Sequence, residues 1–157
     1  LAEKLLGIAD RYGVDRSFIA VEVLEDKKET PYDSAIIRKN LNTLKESSVS
    51  ISLDDFGDGY SSFDDLKNYS VDVIKMSRAV TENIETNLGL RIFKSIVSVA
   101  GSMGVKIICE GAETLKQIEI LRENGIKYVQ GYFFYRPVSP DQFEKAIINN
   151  RNKQGDK

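Results

Sequence analysis

The sequence contains no histidine, no tryptophan, one cysteine and three prolines in 157 residues. The absence of histidine excludes Ser-His-Asp and Cys-His catalysis, and it excludes zinc sites of the usual Cys/His kind. A single cysteine excludes a disulfide within the chain. Any metal-binding or catalytic chemistry must therefore rely on oxygen ligands and basic side chains.

The chain also lacks an excess of one charge and a long apolar run. Its 22 basic and 24 acidic side chains give a net charge of −2, so we expect no nucleic acid polymer as a partner. No apolar segment approaches the length that spans a bilayer, and no signal peptide opens the chain. We expect a cytoplasmic location, which leaves open whether a longer parent protein is tethered to a membrane. A helical pattern already at Leu1 predicts that the chain is a piece of a longer protein.

Amphipathic segments alternate with short β-rich runs along the chain. Five such runs occur, at residues 18–24, 49–55, 71–76, 105–110 and 126–130. Gly13, Gly104 and Gly125 follow helical segments, where glycine adopts the left-handed conformation that ends a helix without a Cβ penalty. The alternation predicts an α/β fold with parallel strands.

The number of units leaves two architectures open. Five units are either a complete open sheet or about five-eighths of an eight-unit barrel, which needs ~250 residues. A doubly wound sheet usually has a glycine-rich phosphate turn after its first strand, and no Gly-x-Gly-x-x-Gly occurs there. We place the domain at residues 1–148 and predict a polar, frayed tail at residues 149–157.

Every apolar run contains or ends in a polar residue that a buried strand does not favour. These residues are Glu22, Asp54, Asp55, Lys75, Glu110 and Gln130. The carboxyl ends of parallel strands lie on one face of the fold, and in barrels that face carries the chemistry. A polar loop explains any one of these positions, but the recurrence in all five runs favours a shared site.

The chemistry of this residue set points to a metal. Four carboxylates side by side repel one another, and a divalent cation relieves the repulsion. Oxygen ligands without histidine or thiolate favour Mg²⁺, Mn²⁺ or Ca²⁺ over Zn²⁺. Asp54 and Asp55 could bridge two ions, and Lys75 could orient a water or offset phosphate charge. The spacing therefore indicates metal-assisted phosphoester hydrolysis.

Three segments near these residues allow alternative interpretations. Residues 54–62 include Asp-Phe-Gly, but a kinase also needs a His-Arg-Asp loop, and an EF-hand needs an oxygen ligand where Phe56 stands. A tight turn and a metal-facing loop both remain open. The aromatic segment 130–137 either packs across the end of the barrel or stacks on a base, with Arg136 near a phosphate. Glu113 either takes part in the site or is a first-turn carboxylate favoured by the helix dipole.

As a set, these motifs resemble the C-terminal part of EAL domains, the bacterial phosphodiesterases of cyclic di-GMP. The resemblance runs from about Leu1 to Ile148. Its motifs follow the family order: Glu22-Val23-Leu24-Glu25, Asp54-Asp55-Phe56-Gly57-Asp58-Gly59-Tyr60-Ser61-Ser62, Ile74-Lys75, Glu110-Gly111-Ala112-Glu113-Thr114 and Gln130-Gly131-Tyr132-Phe133.

The resemblance implies a fold, a cofactor and a reaction. The fold is a TIM-like (β/α) barrel of the EAL type, here a partial barrel of about five β/α units. The cofactor is Mg²⁺ or Mn²⁺, and the reaction is hydrolysis of cyclic di-GMP to linear pGpG. By motif, the resemblance implies metal ligands at Glu22, Asp54 and Asp55.

The resemblance also implies roles for five other residues. Lys75 and Glu110 look like the pair that positions and deprotonates the attacking water. Gln130 looks like a residue that lines the site. Glu25 and Glu113 look like supports for the Asp-Asp-Phe-Gly loop, whose movement in the family links dimerisation to activity.

Several departures from the family pattern divide the functional hypotheses. The Glu-Ala-Leu signature and a further Asn ligand, both expected upstream of Leu1, are absent from the 157 residues. Leu24 and Asp58 stand where the family has threonine, and Ser77 stands where it has an acid. One hypothesis is part of a phosphodiesterase domain that is inactive as this chain alone. The alternative is a degenerate EAL module that binds cyclic di-GMP or a protein partner in a regulatory role.

The partners expected for the chain follow from these hypotheses. They are cyclic di-GMP, the missing N-terminal part of the barrel, and sensor or GGDEF domains in the parent protein. A third reading is a complete short protein whose open sheet edges pair between chains in a homodimer.

Overall fold

The structure, a computed structural model, describes residues 1–24, 34–58 and 69–154. Five strands and six helices lie in these ranges. The helices are α1 (Ala2–Arg11), α2 (Ser34–Glu46), α3 (Arg78–Asn83), α4 (Asn87–Met103), α5 (Leu115–Glu123) and α6 (Pro140–Gln154), with a 3₁₀ turn at Arg16–Phe18. The strands are β1 (Ala20–Val23), β2 (Ser50–Phe56), β3 (Val73–Met76), β4 (Lys106–Cys109) and β5 (Tyr128–Val129).

The five strands form one parallel sheet in which spatial order follows chain order, β1-β2-β3-β4-β5. Crossovers between parallel neighbours are right-handed, so connections that always advance in the same direction place their helices on one face of the sheet. A doubly wound sheet instead reverses its strand order and covers both faces. The order therefore confirms the predicted partial barrel over a doubly wound sheet.

Side chains divide between the two faces of the sheet with the period of two that strands impose. The face against the helices is apolar and buried at Ile51, Leu53, Ile74, Met76 and Cys109. The other face carries Glu22 opposite Ser52, and Lys75 opposite Ile108. The apolar face thus builds the core, and the opposite face carries the charged side chains of Glu22 and Lys75.

Helix ends follow the signals in the sequence. Gly104 caps α4 with a φ of 69°, and Gly125 follows α5 with a φ of 79°. A capping box between Thr114 and Gln117 opens α5. Glu113 precedes this cap, so the interpretation of Glu113 as a first-turn carboxylate is wrong.

Other differences from the sequence predictions are local. Helix α3 was not predicted, because its six residues are too short to show an apolar period. The apolar spacing after Pro140 predicts a last helix from Asp141 to Asn149, and helix α6 runs from Pro140 to Gln154. It passes the proposed domain boundary at residue 148, which stays a prediction. The spacing of Phe63 and Leu66 predicts a short helical link, but this segment and the predicted site residue Glu25 lie outside the described residues. No helix in the described ranges is long and apolar enough to cross a bilayer.

Asp72 joins three elements at the end of the sheet opposite the polar strand ends. Its Oδ2 accepts a hydrogen bond from the Ile51 amide at 2.9 Å, and its Oδ1 lies 2.9 Å from Lys45 Nζ. Partial burial pulls the pKa of Asp72 upward, but the Ile51 amide and Lys45 outweigh it and lower the pKa below its ordinary value of 3.8. The ionised carboxylate therefore stabilises the junction of α2, β2 and β3.

Asp72→Asn is expected to destabilise the fold by about 1 kcal/mol at neutral pH, since a charged acceptor is lost at a solvent-screened site. A lowered folded-state pKa gives stability that is present above the unfolded value of 3.8 and is lost as pH falls through the folded value. The difference between the two proteins should therefore shrink below about pH 4. Urea unfolding from pH 3 to 7 measures it, with Glu119→Gln on an exposed face of α5 as control. A constant difference across this range would contradict the assignment.

Candidate functional site

Lys75 on β3 lies at the centre of the polar strand ends. Its Nζ is 2.9 Å from Glu22 Oε1 on β1, 2.9 Å from Asp54 Oδ1 on β2, and 3.0 Å from Glu110 Oε1 just after β4. Parallel pairing in the observed register brings these side chains to the same side of the sheet. Four of the predicted site residues are therefore in direct contact.

The ion pairs at Lys75 are shielded from solvent to different degrees. The side chains of Lys75, Asp54 and Glu110 are 13%, 15% and 18% exposed, whereas Glu22 is 48% exposed. Partial burial lowers the pKa of Lys75, but hydrogen bonds to Asp54, Glu22 and Glu110 outweigh it and raise the pKa above its ordinary value. Lys75 is therefore a fixed cation across the neutral range and a hydrogen-bond donor.

A bulge places two consecutive acidic residues at the end of β2. The register with β3 shifts between Leu53 and Phe56, and Asp55 has a φ of 53°. Regular alternation would send neighbouring side chains to opposite faces. Aspartate tolerates the left-handed conformation better than most residues, and the bulge keeps Asp55 near Asp54.

Asp54, Asp55 and Glu110 could together hold a cation. One carboxylate oxygen from each lies within 4.8 Å of the others. Three hard oxygen donors at this spacing suit a small divalent ion better than a transition metal that needs nitrogen or sulfur. Glu22, also predicted as a ligand, contacts the same Lys75 at 2.9 Å, and its metal role stays a prediction.

Gln130 and Glu110 both line a cleft that adjoins the acidic cluster. The cleft holds about 600 Å³ and is walled by charged groups, by aromatic rings and by residues of α6. The residues nearest the strand ends are Arg78, Glu110, Glu113, Gln130 and Tyr132. The Arg136 guanidinium carbon lies 4.5 Å from the centre of the Tyr132 ring, within reach of a cation–π contact.

Close backbone contacts fix the loop that carries Glu110. The Gln130 carbonyl accepts from the Ala112 amide at 3.3 Å, and the Ala112 carbonyl accepts from Phe133 at 3.1 Å. A Cβ on Gly131 would lie 2.0 Å from the Ala112 carbonyl oxygen, so only glycine fits there. The two loops that bear Glu110 and Gln130 are thus held against each other.

Two further residues bear on the sequence predictions. Glu113 Oε1 lies 3.1 Å from Arg78 Nη2, and its role as a support for the Asp-Asp-Phe-Gly loop stays a prediction. Arg78 was missed, although it follows Lys75 by three residues at the same strand end. Its signal was weak, because nothing in the sequence indicates that a loop from β4 packs on it.

The three departures from the motif pattern occupy different environments. Leu24 is 66% exposed, and Asp58 is exposed beside the bulge. Ser77 is 2% exposed, and its hydroxyl has no hydrogen-bond partner in the described part of the chain. The serine thus places a small neutral group in a buried position next to the site.

Comparison with known proteins places this site in a family context. A sequence model of the EAL domain matches residues 1–137. The chain is 34% identical over 148 residues to the cyclic di-GMP phosphodiesterase NbdA of Pseudomonas aeruginosa, covering 94% of this chain and 19% of NbdA. It is 32% identical over 140 residues to the signaling protein YkoW of Bacillus subtilis, covering 88% of this chain and 17% of YkoW. The chain thus spans less than a fifth of these curated relatives.

Solved structures agree with this relationship. The EAL domain of Mycobacterium smegmatis DcpA matches with a TM-score of 0.87 and 26% identity, over 94% of this chain and 66% of that one. The PaMucR phosphodiesterase in complex with c-di-GMP matches with a TM-score of 0.79 and 28% identity, over 91% of this chain and 57% of that one. The predicted family resemblance is confirmed.

Lys75→Met is expected to lower the free energy of unfolding by about 2 kcal/mol at pH 7, because three carboxylates lose their shared cation. Since the folded-state pKa of Lys75 is raised, its contribution is fully present below the unfolded value of 10.5 and is lost as pH rises through the folded value. Added Mn²⁺ should recover part of the loss, because the ion compensates the same carboxylates.

Urea unfolding with and without Mn²⁺ measures these effects. Lys116→Met is the matched control, since Lys116 pairs with Glu85 at 3.0 Å but is 65% exposed. That control should change stability by less than about 0.5 kcal/mol. Equal losses in the two variants would contradict a central role for Lys75.

Proposed function

Because the chain belongs to the EAL domain family, we propose that it forms the water-activating part of a cyclic di-GMP phosphodiesterase domain. The proposed reaction breaks one phosphodiester of cyclic di-GMP and gives linear pGpG. The observation that carries the proposal is the contact of Lys75 with Glu22, Asp54 and Glu110 at the carboxyl ends of neighbouring strands. The names of relatives support the substrate, since NbdA is a cyclic di-GMP phosphodiesterase and PaMucR was solved with c-di-GMP.

A divalent cation fits the acidic cluster of this site. Asp54, Asp55 and Glu110 would hold it, with Glu22 as a further ligand, and the oxygen-only donor set favours Mg²⁺ or Mn²⁺. When bound, such an ion stabilises negative charge on phosphate oxygens and makes a water more acidic. The remaining chemistry falls to the protein groups around it.

Lys75 and Glu110 divide the handling of the attacking water. Lys75 stays protonated, so it donates hydrogen bonds and cannot accept a proton. Glu110 lies 3.0 Å from Lys75, and of the three carboxylates that contact Lys75 it is the one that lines the cleft. We therefore assign the proton transfer to Glu110 and the orientation of the water to Lys75.

The cleft beside Glu110 is the proposed place for the rest of the substrate. Gln130, Tyr132 and Tyr135 line it, and the Arg136 guanidinium stands over the Tyr132 ring. Aromatic faces stack on bases, and a guanidinium pairs with phosphate. A cytoplasmic location fits this substrate and remains part of the proposal, as do a homodimer and sensor or GGDEF domains in a parent protein.

A second candidate function is a regulatory module that binds cyclic di-GMP or a protein partner without hydrolysis. The buried Ser77 favours it, because the family has a carboxylate there. The Glu-Ala-Leu segment and its companion Asn are not among the 157 residues. We therefore expect weak metal binding and little hydrolysis from this chain alone.

The experiment compares the chain alone with a longer protein in which a segment carrying Glu-Ala-Leu and the Asn-bearing strand precedes it. With Mn²⁺ and cyclic di-GMP, chromatography of pGpG should show little turnover by the chain and clear turnover by the longer protein. Glu110→Gln in the longer protein should lower kcat by about 10²–10⁴-fold, the usual contribution of a general base.

Glu123→Gln, on an exposed part of α5, is the control and should leave kcat unchanged. Binding of cyclic di-GMP without turnover by the longer protein would favour the regulatory module. Rapid turnover by the 157 residues alone would contradict the expected dependence on further ligands. If the longer protein showed no binding and no turnover of cyclic di-GMP, the proposed substrate would be overturned.

A further inference from the structure

Arg78 occupies the junction between the strand that carries Lys75 and the loop that carries Glu110. It is the first residue of α3, three positions after Lys75. Its side chain is 57% exposed and forms part of the wall of the cleft. Neither the motifs nor the proposed mechanism gives this residue a role.

The aliphatic stem of Arg78 packs on the backbone directly after Glu110. Gly111 has a φ of 73°, which side-chain-bearing residues rarely adopt. A Cβ at Gly111 would lie 2.8 Å from Arg78 Cβ and still closer to Arg78 Cγ. The stem therefore packs on Gly111, the loop residue that would have the most backbone freedom because it has no side chain.

The guanidinium of Arg78 holds the far side of the same loop. Its Nη2 lies 3.1 Å from Glu113 Oε1, and its Nε donates to Glu82 Oε1 at 2.5 Å. Glu82 lies one turn along α3, so the helix itself directs the guanidinium toward Glu113. The planar fork of arginine serves both carboxylates at once, which a lysine ammonium does less well.

Residues at the end of β3 and at the start of α3 thus contact the Glu110 loop at two places. Lys75 contacts the Glu110 carboxylate, and Arg78 contacts Gly111 and Glu113. A carboxylate that takes a proton or a metal must be held to a fraction of an ångström, because a misplacement of about 1 Å can cost a hundredfold in rate. We propose that Arg78 is a positioning residue that holds Glu110 in place through Gly111 and Glu113.

The proposal rests on the proposed function, in which Glu110 is a metal ligand and accepts the proton of the water. The test therefore needs a measurement that is independent of activity. The amides of Glu110, Ala112 and Glu113 donate to Met76, Gln130 and Gln117, and their hydrogen exchange reports how firmly the loop is held. Arg78→Ala removes stem and fork, Arg78→Met keeps most of the stem, and Arg78→Lys keeps the charge. Arg122→Met, at the far end of α5, is the matched control.

In the full chain, Arg78→Ala should speed exchange of the three loop amides about tenfold, while exchange in β3 and the melting temperature follow the control. Arg78→Met should speed exchange of these amides less than Arg78→Ala does. Arg78→Lys should also show slower exchange than Arg78→Ala, because it keeps the positive charge. Glu113→Gln should resemble Arg78→Met, and the double variant should be less than additive, as expected for partners in one contact. Mn²⁺ affinity, measured by calorimetry, should fall about tenfold in Arg78→Ala, because Glu110 leaves the acidic cluster.

The outcomes separate this inference from the proposed function. Unchanged loop exchange in Arg78→Ala would overturn the positioning role, whatever the chain binds. Faster loop exchange in a protein that binds no Mn²⁺ would support the role of Arg78 in holding the loop and count against the proposed metal chemistry. In the longer protein described above, a fall in kcat with unchanged KM supports positioning, whereas a rise in KM alone would make Arg78 a substrate contact and overturn the proposal.

Discussion

The ammonium group of Lys75 is the interaction on which the polar end of the sheet depends. It is the shared cation of carboxylates from β1, β2 and the loop after β4, and two of these three are largely shielded from water. Without that charge, the strand ends would bring together anions that repel at short range and in a poorly screened setting. The same repulsion makes the cluster attractive to a divalent ion. The same ammonium group therefore stabilises the fold and holds the site residues together.

The sheet separates this chemistry from the core. Buried apolar residues such as Ile51, Leu53 and Ile74 face the helices, whereas Glu22, Asp54 and Lys75 occupy the other face or the strand ends. Each side can therefore vary with little effect on the other, because alternate residues of a strand have different neighbours. Arg78 and Asp72 are the residues described here that join elements at the two ends of β3.

Much of the fold and the candidate site could be predicted from the sequence, because both follow from local patterns. Apolar runs and helix-ending glycines predicted the strands and helices, the family resemblance predicted the partial barrel, and polar strand ends predicted Glu22, Asp54, Lys75 and Glu110 as site residues. What could not be predicted depends on tertiary contact: the bulge that keeps Asp55 beside Asp54, the short helix α3, and the packing of Arg78 on Gly111. A register shift and a left-handed glycine leave no periodic signal.

The consecutive order of the strands also bears on how the chain reaches this structure. Every strand pairs with the next one in sequence: Ser52 with Val73, for example, and Ile108 with Tyr128, each only about twenty residues away. Each doubling of a loop's length adds only about 0.6 kcal/mol to the cost of closing it, so strand pairings 20 to 33 residues apart have similar closure costs. The contact between Lys75 and Asp54 needs only the neighbours β3 and β2, whereas Glu22 reaches Lys75 once β1 has paired with β2, and Glu110 once β4 has paired with β3.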